Sequence, residues 1–224
     1  MEKKVVLVGN AVTAEVLYSY LKIDARYQVS GLVVDDQYVD TGTNSDVRTI
    51  ALSHLAEEYP RDEYTLIMAM GYNDLNQTRE RLFNKLVDLG YEFETYVHPT
   101  AFVAPDATVG QGSVVLPHAV IEPHSSVGSN TMVWSNVTLA HHSTVGANCW
   151  VAAGTVVSGK AVIERNSFLG VSSIIVNEVT VGEFNIIGAG ALVSRDTKPH
   201  SVHLSRSAEP FRFSSEEYVK HFGI

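Results

Sequence analysis

Between residues 103 and 198 an aliphatic side chain returns at every sixth position, from Val103, Val109, Val115 and Ile121 through Leu139, Val145, Val151 and Val157 to Ile187 and Val193. The fifth position of each hexad is small or short in nearly every case, as at Ala107, Ser113, Ser125, Ser143, Cys149, Ala161 and Ala191. Glycine often follows the aliphatic residue, at Gly110, Gly128, Gly146, Gly170, Gly182 and Gly188. A fixed short period marks a solenoid, in which each repeat buries its apolar face only against its neighbours. Six residues are too few for a helical repeat, so each hexad predicts one short strand and one corner. Three hexads close a triangular coil and residues eighteen apart stack. This gives about five coils, roughly 25 Å tall at the usual inter-strand spacing. The aliphatic positions point inward, where β-branched residues suit a pleated wall. The small fifth positions let the corners converge, and the glycines are expected to supply unusual backbone angles there.

The first hundred residues follow another pattern. A buried strand over residues 4–8 ends at Gly9, and residues 13–21 have helical spacing. A second strand over residues 29–34 ends in Asp35 and Asp36. A polar stretch and a helix near residues 50–58 lead to a third strand over residues 64–70, which ends at Gly71. Asn73 is read as the N-cap of a helix reaching about residue 89. Residues 93–97 are read as a fourth strand, before His98 and Pro99 turn into the solenoid. Alternating strands and helices predict a small parallel sheet with ligands at the carboxyl ends of its strands. Gly9, Asn10, Asp35, Asp36, Gly71 and Asn73 occupy those ends and are the candidate ligand residues. Only the first glycine of GxGxxG survives at Gly9, so a dinucleotide fingerprint is absent. A tight turn feeding a helix N-terminus remains, which suits a phosphate. The expected division is 1–98 for this α/β domain, 99–200 for the solenoid and 201–224 for an extension with a helix near residues 214–222.

Composition narrows the partners. Apolar residues make up 45% and charged residues 18%, a globular balance, and the formal charge of -9 argues against nucleic acid. Neither an export leader nor an 18-residue apolar run is evident, so no membrane partner and a cytoplasmic location are expected. Cys149 is the single cysteine, which excludes a disulfide within the chain, and its register makes it a small core residue. The histidines remain as chemistry. His118, His124, His141 and His142 fall within the repeat, and His124, His142 and Lys160 share one register. The spacings suit no metal site. His141 stands eighteen residues before Gly159, whose missing side chain is expected to leave room for a ligand beside the imidazole.

A small βαβ domain, a hexad solenoid and one HxxxxG histidine together resemble the bacterial hexapeptide-repeat acetyltransferases of nucleotide-linked amino sugars; the sialic acid O-acetyltransferases share the architecture. The resemblance covers essentially the whole chain and implies an α/β N-terminal domain with a small parallel sheet followed by a left-handed parallel β-helix. It implies a homotrimer whose N-terminal domain binds the nucleotide-linked amino sugar and whose coils bind acetyl-CoA between neighbours, for surface glycan synthesis. His141 takes the place of the general base, with His142 beside it in a secondary role. The acetyl-CoA positions fall on Gly159, Lys160, Val171 and Ala189. Three residues depart from the family. His142 replaces the usual acidic neighbour, Trp150 replaces a frequent histidine, and the turn at Gly9–Thr13 lacks the usual GxxGH. O-acetylation of a sialic acid-like sugar and a non-catalytic scaffold binding sugar nucleotide or CoA are the rival expectations. A nucleotidyltransferase is disfavoured, because the N-terminal domain is too short and lacks its glycine-rich signature.

Overall fold

The computed structural model describes residues 2–39 and 46–223. Part of the polar stretch expected after the second strand lies outside them. Four parallel strands form the N-terminal sheet, β1 (Lys3–Val8), β2 (Tyr27–Val34), β3 (Thr49–Ala51) and β4 (Thr65–Met68), in the order β3-β2-β1-β4. Helix α1 (Val12–Leu21) joins β1 to β2, and α2 (Leu55–Glu58) and α3 (Gln77–Asp88) flank β4. One side of the sheet packs Val6, Val8, Leu66 and Met68 against Leu55, Leu82, Phe83 and Leu86. The other side packs Val5, Leu7 and Ile67 with Leu17 and Leu21 of α1 against Val114, Met132 and Trp150 of the solenoid.

The expected helix near residues 50–58 is reduced. Ile50 is needed in β3 beside Val33, so only a 3-10 turn (Leu52–His54) and α2 remain. The expected fourth strand is also reassigned. Phe93 makes a single bridge to Leu66, whereas β5 (Tyr96–Val97) pairs with Val114–Val115 inside the solenoid. The boundary expected at residue 98 therefore falls after the first solenoid strand. At the other end β22 (Val202–His203) pairs with Ile186–Ile187, so the last coil extends into the segment expected to be an extension.

Two-residue strands then recur every six residues from β6 (Phe102–Val103) to β21 (Leu192–Val193), numbered in chain order. Together with β5 and β22 they stack into three parallel faces of seven, six and five strands. The chain visits the seven-, six- and five-stranded faces in turn, so each coil has a triangular section. The second residue of each strand points inward: Val115, Ile121, Val127, Leu139, Val145, Ile163 and Ile187 form one continuous buried column. Each such side chain contributes about 1.5–3 kcal/mol through burial.

The corners differ from expectation in one respect. The glycines after the aliphatic residues do not adopt positive φ; the turn residue two places further on does, as at His118, His124, Asn130, Asn136, His142, Asn148, Lys160 and Asn166, with φ between 53° and 61°. Asn and His tolerate this left-handed region better than most residues, which explains their recurrence. The glycines are set by close packing instead: a Cβ at Gly146 would meet the Arg165 nitrogen of the next coil at 2.7 Å.

The N-terminal domain covers the seven-stranded face. Among the described residues the outward residues of the six-stranded face stay open, with Phe102, Ile174 and Leu192 at 55%, 43% and 65% exposure. Beyond the last coil, α4 (Ser215–Phe222) is closed by a Ser214–Glu217 capping box and buries none of its residues. No helix among the described residues is long and apolar enough to cross a membrane.

Candidate active site

The carboxyl ends of β1, β2 and β4 open into a cavity of about 630 Å³. Gly9, Asn10, Asp35, Gly71 and Asn73 line it. Gly9 has φ +128°, and a Cβ there would lie 2.8 Å from the Ala69 carbonyl, so the β1–α1 turn accepts only glycine. Asn10 is buried and donates to the Tyr38 carbonyl at 2.8 Å, which shapes the β2 side of the cavity. Asp36 is turned away. Hydrogen bonding from the Ser53 side chain, and then from its amide at 3.1 Å, holds the carboxylate's pKa below the usual range.

Asn73 lines the cavity but does not cap α3. Asp74, Leu75 and Asn76 all have positive φ, so the chain makes a left-handed turn and Asn76 takes the cap position. Arg79 of α3 fastens this turn to the solenoid. Its guanidinium is fully buried and donates to the Gly71 carbonyl and Asn76 Oδ1 at 3.2 and 2.9 Å, and to the carbonyls of Asn148 and Cys149 at 3.0 and 3.1 Å. Burial lowers its pKa to about 10. Tyr72 packs on Trp150 and Phe168, with ring centres 4.9 and 4.8 Å away. Trp150 is thereby part of the contact between the two halves of the chain.

The sequence reading missed three cavity residues on α3. Thr78, Arg81 and Lys85 line the cavity's α3 wall. Their spacing of three and four on one helical face was the available signal.

His141 lies elsewhere, at the corner between the six- and five-stranded faces, after β12 (Thr138–Leu139) and before β13 (Thr144–Val145). Its ring sits directly on Gly159. A Cβ there would come within 2.7 Å of Cε1 and 2.8 Å of Nε2. The space expected for a ligand is thus filled by the imidazole itself, and the glycine serves to seat the ring. Glu122, one coil earlier, accepts the His141 backbone N–H at 2.8 Å.

His142 does more than stack. Its Nδ1 lies 3.2 Å from Nδ1 of His141, while its ring packs on His124 at 4.7 Å. The other members of this column have acidic partners: His124 contacts Asp106 at 3.0 Å and Lys160 pairs with Glu178 at 3.3 Å. Facing Nδ1 atoms require one to donate and the other to accept. When His141 donates, its Nε2 over Gly159 carries the free lone pair and is the basic atom.

Val171 and Ala189 are exposed at a different corner, between the seven- and six-stranded faces. Together with Gly159 and Lys160 they border the two long edges of the open six-stranded face. The structure does not bring the cavity and His141 together within one chain. The cavity belongs to the domain on the seven-stranded face, and the corner of His141 is opposite that face. Among the described residues no group of three His, Cys, Asp or Glu side chains is placed to hold a metal.

Residues 124–159 match the bacterial transferase hexapeptide (six repeats) family. PerB from Caulobacter crescentus, solved with CoA and GDP-perosamine, superposes with a TM-score of 0.80 at 25% identity, covering 90% of this chain and 94% of that one. The acetyltransferase domain of PglB from Neisseria gonorrhoeae, solved with acetyl coenzyme A, gives 0.82 at 24% identity, covering 94% and 100%. WeeI from Acinetobacter baumannii gives 0.69 at 16% identity, covering 90% and 96%. No curated protein matches the sequence. The fold is that of the hexapeptide-repeat acyltransferases, a left-handed parallel β-helix behind a small α/β domain.

Proposed function

We propose that the protein is an acetyl-CoA-dependent N-acetyltransferase acting on the amino group of a nucleotide-linked 4-amino-4,6-dideoxyhexose. The observation that carries this reading is the imidazole of His141, seated on Gly159 with its Nδ1 against His142. It stands in a chain whose fold extends along nearly the whole of PerB, which was solved with CoA and a nucleotide-linked amino sugar. The cavity holds the nucleotide sugar, and acetyl-CoA lies along the six-stranded face between Gly159, Lys160, Val171 and Ala189.

The sugar amine attacks the thioester carbonyl. His141 Nε2 takes the proton lost by the amine, and collapse of the tetrahedral adduct expels the CoA thiolate, which takes that proton. His142 acts as acceptor for His141 Nδ1–H and so replaces the family's carboxylate by a neutral ring. A neutral amine can attack before losing its proton, so this weaker partner suits an amine better than a hydroxyl.

Because His141 and the cavity lie on opposite sides of one solenoid, a neighbouring copy supplies the histidine. The open apolar six-stranded face is the surface that a homotrimer covers. Such an enzyme belongs in the cytoplasm, where sugar nucleotides and acetyl-CoA meet, and its product feeds surface glycans. The test is CoA release with UDP-, dTDP- and GDP-linked 4-amino sugars and with hydroxyl acceptors. Turnover of one amino sugar is expected, with His141→Ala lowering kcat about 10²- to 10⁴-fold. Equal turnover of hydroxyl acceptors overturns the N-acetyl assignment, and CoA binding without turnover indicates a scaffold.

A further inference from the structure

We infer that Arg81 and Lys85 form a diphosphate clamp on the α3 wall of the N-terminal cavity, and that Asp74 holds Arg81 aside until the ligand arrives. The inference rests on the reading of that cavity as the nucleotide-sugar site. It adds which wall takes the anionic part and which carboxylate competes for it.

The cavity is bipolar. Asp35 stands at the end of β2, while Thr78, Arg81 and Lys85 occupy successive positions on one face of α3, the helix that follows β4 on the other side of β1 in the sheet. A diphosphate carries two negative charges and cannot sit beside Asp35 at low cost, whereas ribose and base N–H or O–H donors can. The cations therefore assign the diphosphate to α3 and leave the nucleoside donors to β2. In a chain of net charge -9, two cations in one cavity are a local device for an anion rather than part of a general field.

The two cations are not equivalent. Lys85 is exposed, and its ammonium makes no hydrogen bond or ion pair among the described residues. Arg81 donates to Asp74 Oδ2 at 3.2 Å and to Thr78 Oγ1 at 3.0 Å. The Arg81–Asp74 pair is solvent-exposed, with side chains at 64% and 55% exposure, and an exposed pair shifts an equilibrium by about fivefold at most. A phosphate accepting two parallel N–H bonds from a guanidinium outcompetes it. Asp74 is also the first residue of the left-handed turn that Arg79 locks onto the solenoid, so its carboxylate is offered from a fixed position.

The test is calorimetry on the whole protein with UDP, dTDP and GDP, each beside its monophosphate and nucleoside. Arg81→Ala, Lys85→Ala, the double variant and Asp74→Asn are compared with the unaltered chain. The three side chains changed, Asp74, Arg81 and Lys85, are all exposed, and circular dichroism confirms folding. Each single alanine is expected to weaken the preferred diphosphate about tenfold while leaving its nucleoside unchanged. Asp74→Asn is expected to tighten the diphosphate about two- to fivefold by freeing Arg81. Inorganic phosphate is included as a probe, and its binding should be weak and equally dependent on both cations. If the double variant keeps the full preference for diphosphate over nucleoside, the clamp is wrong while the cavity assignment stands. Asp74→Asn binding unchanged or weaker overturns the gating role of Asp74. If no nucleotide binds the unaltered protein, the cavity assignment fails and the clamp falls with it.

Discussion

At the scale of single residues the site depends on how one ring is seated. Gly159 exists to receive the His141 imidazole, so the smallest enlargement is informative. A methyl group in Gly159→Ala meets Cε1 and Nε2 at less than 3 Å and must push the ring off its seat. The expected outcome is a fall in kcat of about 10²-fold or more with nucleotide affinity unchanged, read by steady-state kinetics beside calorimetry. His142 is constrained twice, by its left-handed backbone and by the Nδ1 contact. Asparagine satisfies both, since it tolerates that backbone and offers an acceptor oxygen, and it already fills the same turn position at the other two corners, at Asn130, Asn136, Asn148 and Asn166. His142→Asn should therefore retain more turnover than His142→Leu, at similar melting temperature for His142→Asn and the unaltered chain. Equal loss in both variants would remove the acceptor role. The pair of histidines and the glycine eighteen residues on were legible in sequence because the period fixes stacking. The use of the glycine was not, because spacing says which residues are level and not which side chain occupies the gap.

At the scale of elements, the hexads were legible because a period of six has one regular solution. Short apolar runs in the first domain were less so. Residues 93–97 read as a fourth strand of the N-terminal sheet, because a short apolar run does not name its partner, and the pairing of Tyr96–Val97 with Val114–Val115 places it in the solenoid. Asn73 reads as a helix cap until three successive positive φ angles displace the helix start to Gln77. Arg79 gave no signal at all: an arginine on a helix is normally solvated, and only the carbonyls of the solenoid explain its burial. Truncation in Arg79→Ala leaves four acceptors without their donor, and a loss of about 3 kcal/mol or more is expected in denaturant unfolding. The same elements set the alkaline limit. Burial raises Cys149 from an ordinary 9.0 to about 12 and Tyr96 from 10.0 to about 12, and burial with the Glu94 hydrogen bond raises Tyr27. Each holds its proton to higher pH when folded, so the stability it contributes is present below its unfolded pKa and is lost as pH rises through the folded value. Arg79 acts in the opposite sense between about 10 and 12.5, because there the unfolded chain holds the proton longer. Three groups against one predict a melting temperature that falls as pH rises above about 9, and thermal scans from pH 7 to 11 check it.

At the scale of the whole molecule, the decisive feature is a separation. The N-terminal domain sits on the seven-stranded face through Leu17, Leu21, Met132 and Trp150, and it carries the cavity. The His141 corner joins the other two faces, on the far side of a solid column of Val, Leu and Ile. No side-chain movement carries a bound sugar through that column, so the proposed reaction would join the cavity of one copy to the histidine of another. Phe102, Ile174 and Leu192 on the open six-stranded face offer an exposed apolar surface for the proposed association. This arrangement makes complementation the critical test. His141→Ala removes the base and leaves the cavity intact. Gly71→Leu introduces a side chain at the cavity wall, where a Cβ meets only Thr13 Oγ1 at an ordinary 3.8 Å, and so obstructs the ligand without straining the turn. Each variant alone should be nearly inactive. Unfolded together and refolded as a mixture, they assemble at random, and in a closed ring about one interface in four joins an intact cavity to an intact histidine. The mixture should then recover roughly a quarter of the unaltered turnover, and mixing the separately folded oligomers should recover none until subunits exchange. Recovery absent after co-refolding, with mixed oligomers demonstrated by differently tagged chains, would mean that cavity and histidine serve one another within a single chain and that the opposed geometry is bridged in some other way.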